Sequence, residues 1–451
     1  MKIFKFIIVV CALSILIPLS SGKCQENKIF PYPINQYELP NGLKIVSIPF
    51  NSPGIASFFV VVRAGSRNEV EEGVTGFAHF FEHMMFRGTD KYPKDKYEEV
   101  LKSTGASANA NTSTDRTIYH MTGNADKLEL MFEIEADRFE NLNYSEHDFK
   151  TEAGAVKGEY TKNYANPNSQ LYELIQNTAF DKHTYKHTTM GFFKDIVDMP
   201  NQYEYSKLFY KRFYRPEYCT ILVVGDVKPE KVYSLSQKYF GNWMEGDYEP
   251  VIPVEPVQTE TRYAHIQNSS VPPVLTLNFK SPAFSDKDIS TAALEIISSI
   301  AFSERSDINK KLVLDEKKVR YIYCSPAGSR DPDLTTISAS VKKAEDLQYV
   351  KDEIMKTLED LKVNPISDKL LNDAKSNIKY SFAMSIDNPN SIANAIAFYI
   401  YVTGNPESVN NYYSVLDKIT PEDIMKTAQD IFKTTGLTIG TITSEENSNI
   451  K

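Results

Sequence analysis

Thiol chemistry has little to work with in this chain. Of its four cysteines, Cys11 falls in an N-terminal leader, which leaves Cys24, Cys219 and Cys324. Three thiols make no disulfide framework, and no C-x-x-C pair exists to suggest a thiolate metal site. Basic blocks are also missing. Lysine and arginine number 50 against 59 acids, a net charge of -9, so there is no cationic face for phosphates and nucleic acid is excluded as a natural partner. Past the leader no apolar run approaches the roughly 20 residues that a membrane span takes. Histidine is scarce too, with seven in 451 residues.

The leader itself, "MKIFKFIIVVCALSILIPLSSGKC", has the layout of a secretory signal. Lys2 and Lys5 precede an apolar run from residue 6 to about 17, then Pro18 and small residues up to Gly22. The run is short and proline-ended, which favours a cleaved signal over 1–23, with a retained anchor as the alternative. Lys23 ahead of Cys24 fits a lipoprotein signal poorly, and the segment is not an Arg-rich presequence. The expectation is an exported chain, periplasmic or secreted.

At 451 residues one core is too few, and two domains are expected. The break is "EGDYEPVIPVEPVQTETR", residues 245–262, whose prolines at 250, 253 and 256 deny helix and central strand alike. It separates a domain at 32–244 from one at 263–446. In the first, "NGLKIVSIP" and "ASFFVVVRAGS" read as neighbouring strands and "TILVVGDV" as a buried one. Helices are expected over 76–87, from Asp126 and from Ser145, the last opened by a Ser145–Asp148 capping box. The second half again mixes strands with long helices. The fold class is α+β, two similar α/β domains joined by the proline-rich linker, although no strict sequence repeat is visible.

Two of the seven histidines fall in "GFAHFFEHMMFRGT", residues 76–89. On a helix His79 and His83 lie one turn apart on one face, with Glu82 beside them. Two neutral imidazoles can hold a divalent ion, and a nearby carboxylate can take a proton from water at an open coordination position. The order is the inverted zinc motif H-x-x-E-H. Phe77, Phe80, Phe81, Met84, Met85 and Phe86 imply burial, and a metal compensates the cost of burying two histidines and a carboxylate. The third ligand is expected from the helix beginning at Ser145. There Glu152 and Glu159 stand seven apart on one face, and spacing does not choose between them. Glu146 and His147, in the capping turn, are weaker candidates.

These stretches resemble the pitrilysin and insulin-degrading enzyme family of zinc peptidases, which includes the processing peptidases. "GFAHFFEHMMFRGT" is similar to its zinc motif almost position by position, "NANTSTDRTIY" to its substrate-facing edge strand, and "KTEAGAVKGEY" to the helix that carries its third ligand. "YKHTTMGFFKDI" and "FYRPEYCTILVVGDV" match further landmarks, and the likeness spans nearly the whole mature chain. It implies a roll of antiparallel sheet with helices on one side in each domain. It further implies that His79, His83 and Glu159 hold Zn2+, that Glu82 is the general base, and that Glu152 orients a zinc histidine. Asn109 would hydrogen-bond substrate backbone and Ala110 would belong to the edge strand that binds peptide substrates by strand addition, where the bare residues "NANTST" also suit a polar turn.

The family's Arg and Tyr, seven residues apart in a second-half domain, bind substrate and help stabilise the developing oxyanion; they map onto Leu314 and Tyr321, which makes Tyr321 a substrate-binding residue by resemblance. The arginine is therefore missing, and Arg305 and Arg320 are out of register. This departure implies a heterodimer in which a homologous partner chain supplies the Arg and Tyr, with a homodimer less favoured. The functional expectation is a zinc metalloendopeptidase. The alternative is a non-catalytic binding or scaffold subunit of a processing-peptidase-like complex.

Overall fold

The computed structural model describes residues 28–448 and 450. The signal expected at 1–23, with Cys11 and Cys24, lies outside the described residues. Strands β1 (Asn35–Glu38), β2 (Lys44–Pro49), β3 (Ile55–Val62), β4 (Ser107–Thr112), β5 (Thr117–Asn124) and β6 (Cys219–Gly225) form one sheet in the order β1-β2-β6-β3-β5-β4. Strands β7 (Arg262–Gln267), β8 (Val274–Ser281), β9 (Val319–Ser325), β10 (Asp333–Val341) and β11 (Leu437–Thr443) form the second, ordered β7-β11-β8-β10-β9. No helix or strand lies between Phe240 and Arg262.

The two halves repeat each other in topology. β2-β6-β3-β5-β4 and β7-β11-β8-β10-β9 have the same pattern of directions: one parallel pair, then antiparallel pairs throughout. Two expectations are refined by this. β2 and β3 are not hydrogen-bonded neighbours, because β6 inserts between them, parallel to one and antiparallel to the other. Each sheet is thus antiparallel apart from one parallel pair, which a chain can make only by a long crossover.

Each half lays its own helices on one face of its sheet and receives a helix from the other half on the opposite face. Helix Pro389–Thr403 packs on β3 and β6 of the first sheet, and helix Pro167–Ala179 packs on β7 and β11 of the second. Phe59, Val61, Leu222 and Val224 share a core with Ile392, Ile396 and Ile400 on the visiting helix. Phe58, Val60, Ile221 and Val223, alternating with them, face the first half's own helices. Strands buried on both sides need apolar residues at every position, hence "FFVVV" and "ILVV". Both exchanged helices start from the same tetrapeptide, Asn-Pro-Asn-Ser, with Asn166 or Asn388 capping the helix and proline at its first position. The loop before β10 also ties the halves together. Asp331 meets Arg67 Nε at 2.5 Å and His183 Nε2 at 2.9 Å, and the Arg330 N–H donates to Asp115 at 2.8 Å.

Candidate metal centre

The helix carrying the histidines runs over Phe77–Met84, shorter than the 76–87 expected. The turn that follows frees Arg87 from the helix line. Phe77, Phe80, Phe81 and Met84 fix the helix in the core, and the Tyr119 hydroxyl on β5 donates to the Phe81 carbonyl at 2.9 Å. The opposing helix, Glu146–Tyr164, starts from the capping box of Ser145 and Asp148. It buries Phe149, Ala153 and Val156 against the same core and turns Glu152 and Glu159 toward the histidines.

The crossing of the two helices separates the two glutamates. Glu159 Oε2 stands 3.3 Å from His83 Nε2 and 3.7 Å from His79 Nε2, and the three donor atoms all lie within 4.8 Å of one another. Glu152 Oε1 instead lies 2.9 Å from His83 Nδ1, on the far side of that ring. Its Oε2 accepts from Arg87 Nε at 2.6 Å. The imidazole planes stand at 80° with centroids 4.9 Å apart.

These separations fit a shared cation. Zinc bonded tetrahedrally at about 2.0–2.2 Å spaces its ligand atoms about 3.3–3.5 Å apart. The Glu159 contacts fall close to that and are longer than an ordinary N–H···O bond. The donor set, two imidazoles and one carboxylate, suits zinc. A hydrogen bond from His83 Nδ1 to Glu152 puts the proton on that nitrogen and leaves the Nε2 lone pair facing Glu159. His79 Nδ1 is buried without a hydrogen-bond partner among the described residues.

Electrostatics pull the two rings in opposite directions. Burial, then the neighbouring His83, lowers the His79 pKa, so this ring stays neutral. The Glu152 hydrogen bond raises that of His83. For Glu152, burial alone would raise the pKa, but hydrogen bonds from His83 and Arg87 outweigh it and hold the carboxylate low and charged.

Glu82 projects beside the cluster into a cavity of about 310 Å³ that it lines with His83, Phe86, Arg87, Lys94 and Glu152. Thr112 Oγ1 donates to Glu82 Oε2 at 2.7 Å. Thr112 ends β4, a strand rather than a turn, which among the described residues pairs only with β5 and so forms the sheet's edge there. Ala110, on the same face as Thr112, is buried against the helix, while Asn109 points the other way and is exposed. Glu146 and His147 lie exposed in the first turn of their helix, Glu146 pairing with Lys150. Tyr321 stays apart: it stands on β9 and lines a separate cavity of about 560 Å³ with Tyr172 and Tyr323. Leu314 is 60% exposed, and Arg305 and Arg320 are exposed too.

Arg87 and Thr112 were not singled out from sequence. Thr112 stands two beyond Ala110 on one strand and so shares its face, a signal that was available; Arg87 lies past the end of the His83 helix, where helical spacing does not place it.

Known proteins resemble the chain along nearly its whole length. Residues 45–191 match the family described as Insulinase (Peptidase family M16), and residues 202–378 match Peptidase M16 inactive domain. The zinc protease PqqE of Helicobacter pylori is 31% identical over 412 residues, covering 88% of this chain and 90% of that protein. The crystal structure of a protease from Helicobacter pylori superposes with a TM-score of 0.84 at 28% identity, covering 91% of this chain and 99% of that one. The periplasmic protease PqqL from Escherichia coli shares the fold, with a TM-score of 0.75 at 17% identity, and this chain covers 48% of it. Sustained across both halves, this likeness places the chain in peptidase family M16, the insulinase family.

Proposed function

We propose that the chain is a zinc-dependent endopeptidase that cleaves peptides or unfolded segments bound as an extra strand along β4. The observation that carries this reading is the convergence of His79, His83 and Glu159 beside a carboxylate, Glu82, that is held at one oxygen only. These three residues would hold zinc, which supplies Lewis acidity at a scissile carbonyl and acidifies water. Glu82 takes the proton of the attacking water on the oxygen that Thr112 leaves free, then hands it to the departing amine. Glu152, clamped by Arg87, keeps the His83 ring turned toward the ion. The outward backbone groups of β4 pair with an extended substrate whatever its sequence, as does any open sheet edge, and Asn109 and Ala110 form part of that edge. The test is Glu82→Gln: zinc content stays at the wild-type level while peptide turnover falls by about two to four orders of magnitude. Turnover retained in that variant refutes the role.

The substrate chamber is completed by a homologous partner chain that brings an Arg and a Tyr. Leu314 at the expected arginine position and the separate cavity of Tyr321 support this, as does a relative, PqqL, twice as long. Full activity of the chain purified alone as a homodimer overturns it. The N-terminal signal sends the chain to the periplasm or outside the cell.

A further inference from the structure

The helix that carries both imidazoles is eight residues long, too short to hold itself together in water. Its N-cap is Gly76, which offers no side chain. Glu69 closes that end instead. Its carboxylate, 2% exposed, accepts the Gly76 N–H at 2.8 Å on Oε2 and the Ala78 N–H at 2.7 Å on Oε1. Each oxygen satisfies a donor that the first turn would otherwise leave unpaired, and these N–H bonds work against the burial that pushes the Glu69 pKa up to about 8. Ala78 immediately precedes His79, so one of the clamped amides lies next to a ligand residue.

The residue just before the clamped amides is tied down as well. The Thr75 hydroxyl donates to Asp195 at 2.6 Å and accepts the Phe192 N–H at 2.8 Å, while His187 Nδ1 stands 3.8 Å from Glu69 Oε2. The fit leaves no slack. Gly76 has φ +91, and a Cβ there would come within 2.5 Å of Ile196; a Cβ on Gly191 would come within 2.7 Å of the Gly76 nitrogen. Glu69 is absent from the lining of the cavity beside Glu82 and His83, so its effect on that site is transmitted through the helix.

We propose that Glu69 is a positioning residue of the metal centre: through the first turn of the helix it sets where the His79 imidazole stands relative to His83 and Glu159. The role rests on the reading of those three residues as zinc ligands. The experiment compares the full chain with Glu69→Gln, whose amide group turns donors toward a backbone N–H. Hydrogen exchange at the amides of Phe77, Ala78 and His79 is measured in zinc-free protein. Zinc affinity and the ligand-field absorption of bound Co(II) are measured separately. The variant is expected to keep its circular dichroism, to exchange these amides faster, to bind zinc about tenfold more weakly, and to show displaced Co(II) bands. Wild-type exchange, affinity and Co(II) bands in E69Q overturn the proposal. If E69Q does not fold, Glu69→Asp carries the test: it keeps the carboxylate but shortens its reach by one methylene, and wild-type amide exchange and zinc affinity in that variant overturn the proposal. A wild-type chain that binds neither metal sinks the zinc reading itself and this role with it, a result distinct from the others.

Discussion

Removing either helix carboxylate separates the two roles given to them. In Glu152→Ala, His83 loses a 2.9 Å hydrogen bond to a carboxylate whose side chain is only 9% exposed, so water compensates little of the loss. A hydrogen bond to a charged group at a protected site contributes about 1.5–3 kcal/mol. At about 1.4 kcal/mol per decade, that is a weakening of zinc binding by about 10-fold to 100-fold, the range seen when groups behind metal ligands are removed. Glu159→Ala removes one of the three proposed zinc donors, so its expected loss exceeds that range. The assay is competition for zinc against a chromophoric chelator, with circular dichroism to confirm folding. Wild-type affinity in Glu152→Ala, or a smaller loss in Glu159→Ala than in Glu152→Ala, refutes the assignment.

Two further outcomes test the wider architecture. Ile396 is fully buried on the helix that the second half lends to the first sheet, so Ile396→Ala should cost about 2–5 kcal/mol. The sole tryptophan, Trp243, sits in the first half's core, so its fluorescence midpoint in urea should fall together with the far-UV signal; an unmoved tryptophan midpoint would show that the halves unfold independently. Burial alone would raise the Asp331 pKa, but hydrogen bonds from His183 and Arg67 win and hold it well below the usual carboxylate range. Its contribution to stability is therefore full above about pH 4–5 and fades as pH falls below the unfolded carboxylate value near 4. The melting-temperature gap between wild type and Asp331→Asn should be widest near neutrality and narrow progressively as pH falls below about 4; a gap that stays constant down to pH 3 contradicts this.

Sequence periodicity was enough for whatever depends on one helix or one strand. His79, Glu82 and His83 share a face because a helical turn is 3.6 residues, and Ser145 with Asp148 marks a helix start because the capping box is local. The same periodicity puts Glu152 and Glu159 on one face and for that reason does not rank them. Only the crossing of two helices does, placing one glutamate at Nε2 of His83 and its neighbour at Nδ1. The "FFVVV" run announced a strand and "ILVV" a buried one, but neither said what would cover them. The paired Asn-Pro-Asn-Ser caps were a trace of the helix exchange, though nothing in them says which sheet each helix will cover. Arg87, Thr112 and Glu69 act on groups 65, 30 and 7 to 9 residues away in the chain. Local pattern thus determined the elements and the inverted motif. Tertiary packing decided which carboxylate meets the imidazoles and what holds their helix, because hydrogen bonds and metal coordination depend on distances of a few ångströms that spacing along a chain does not encode.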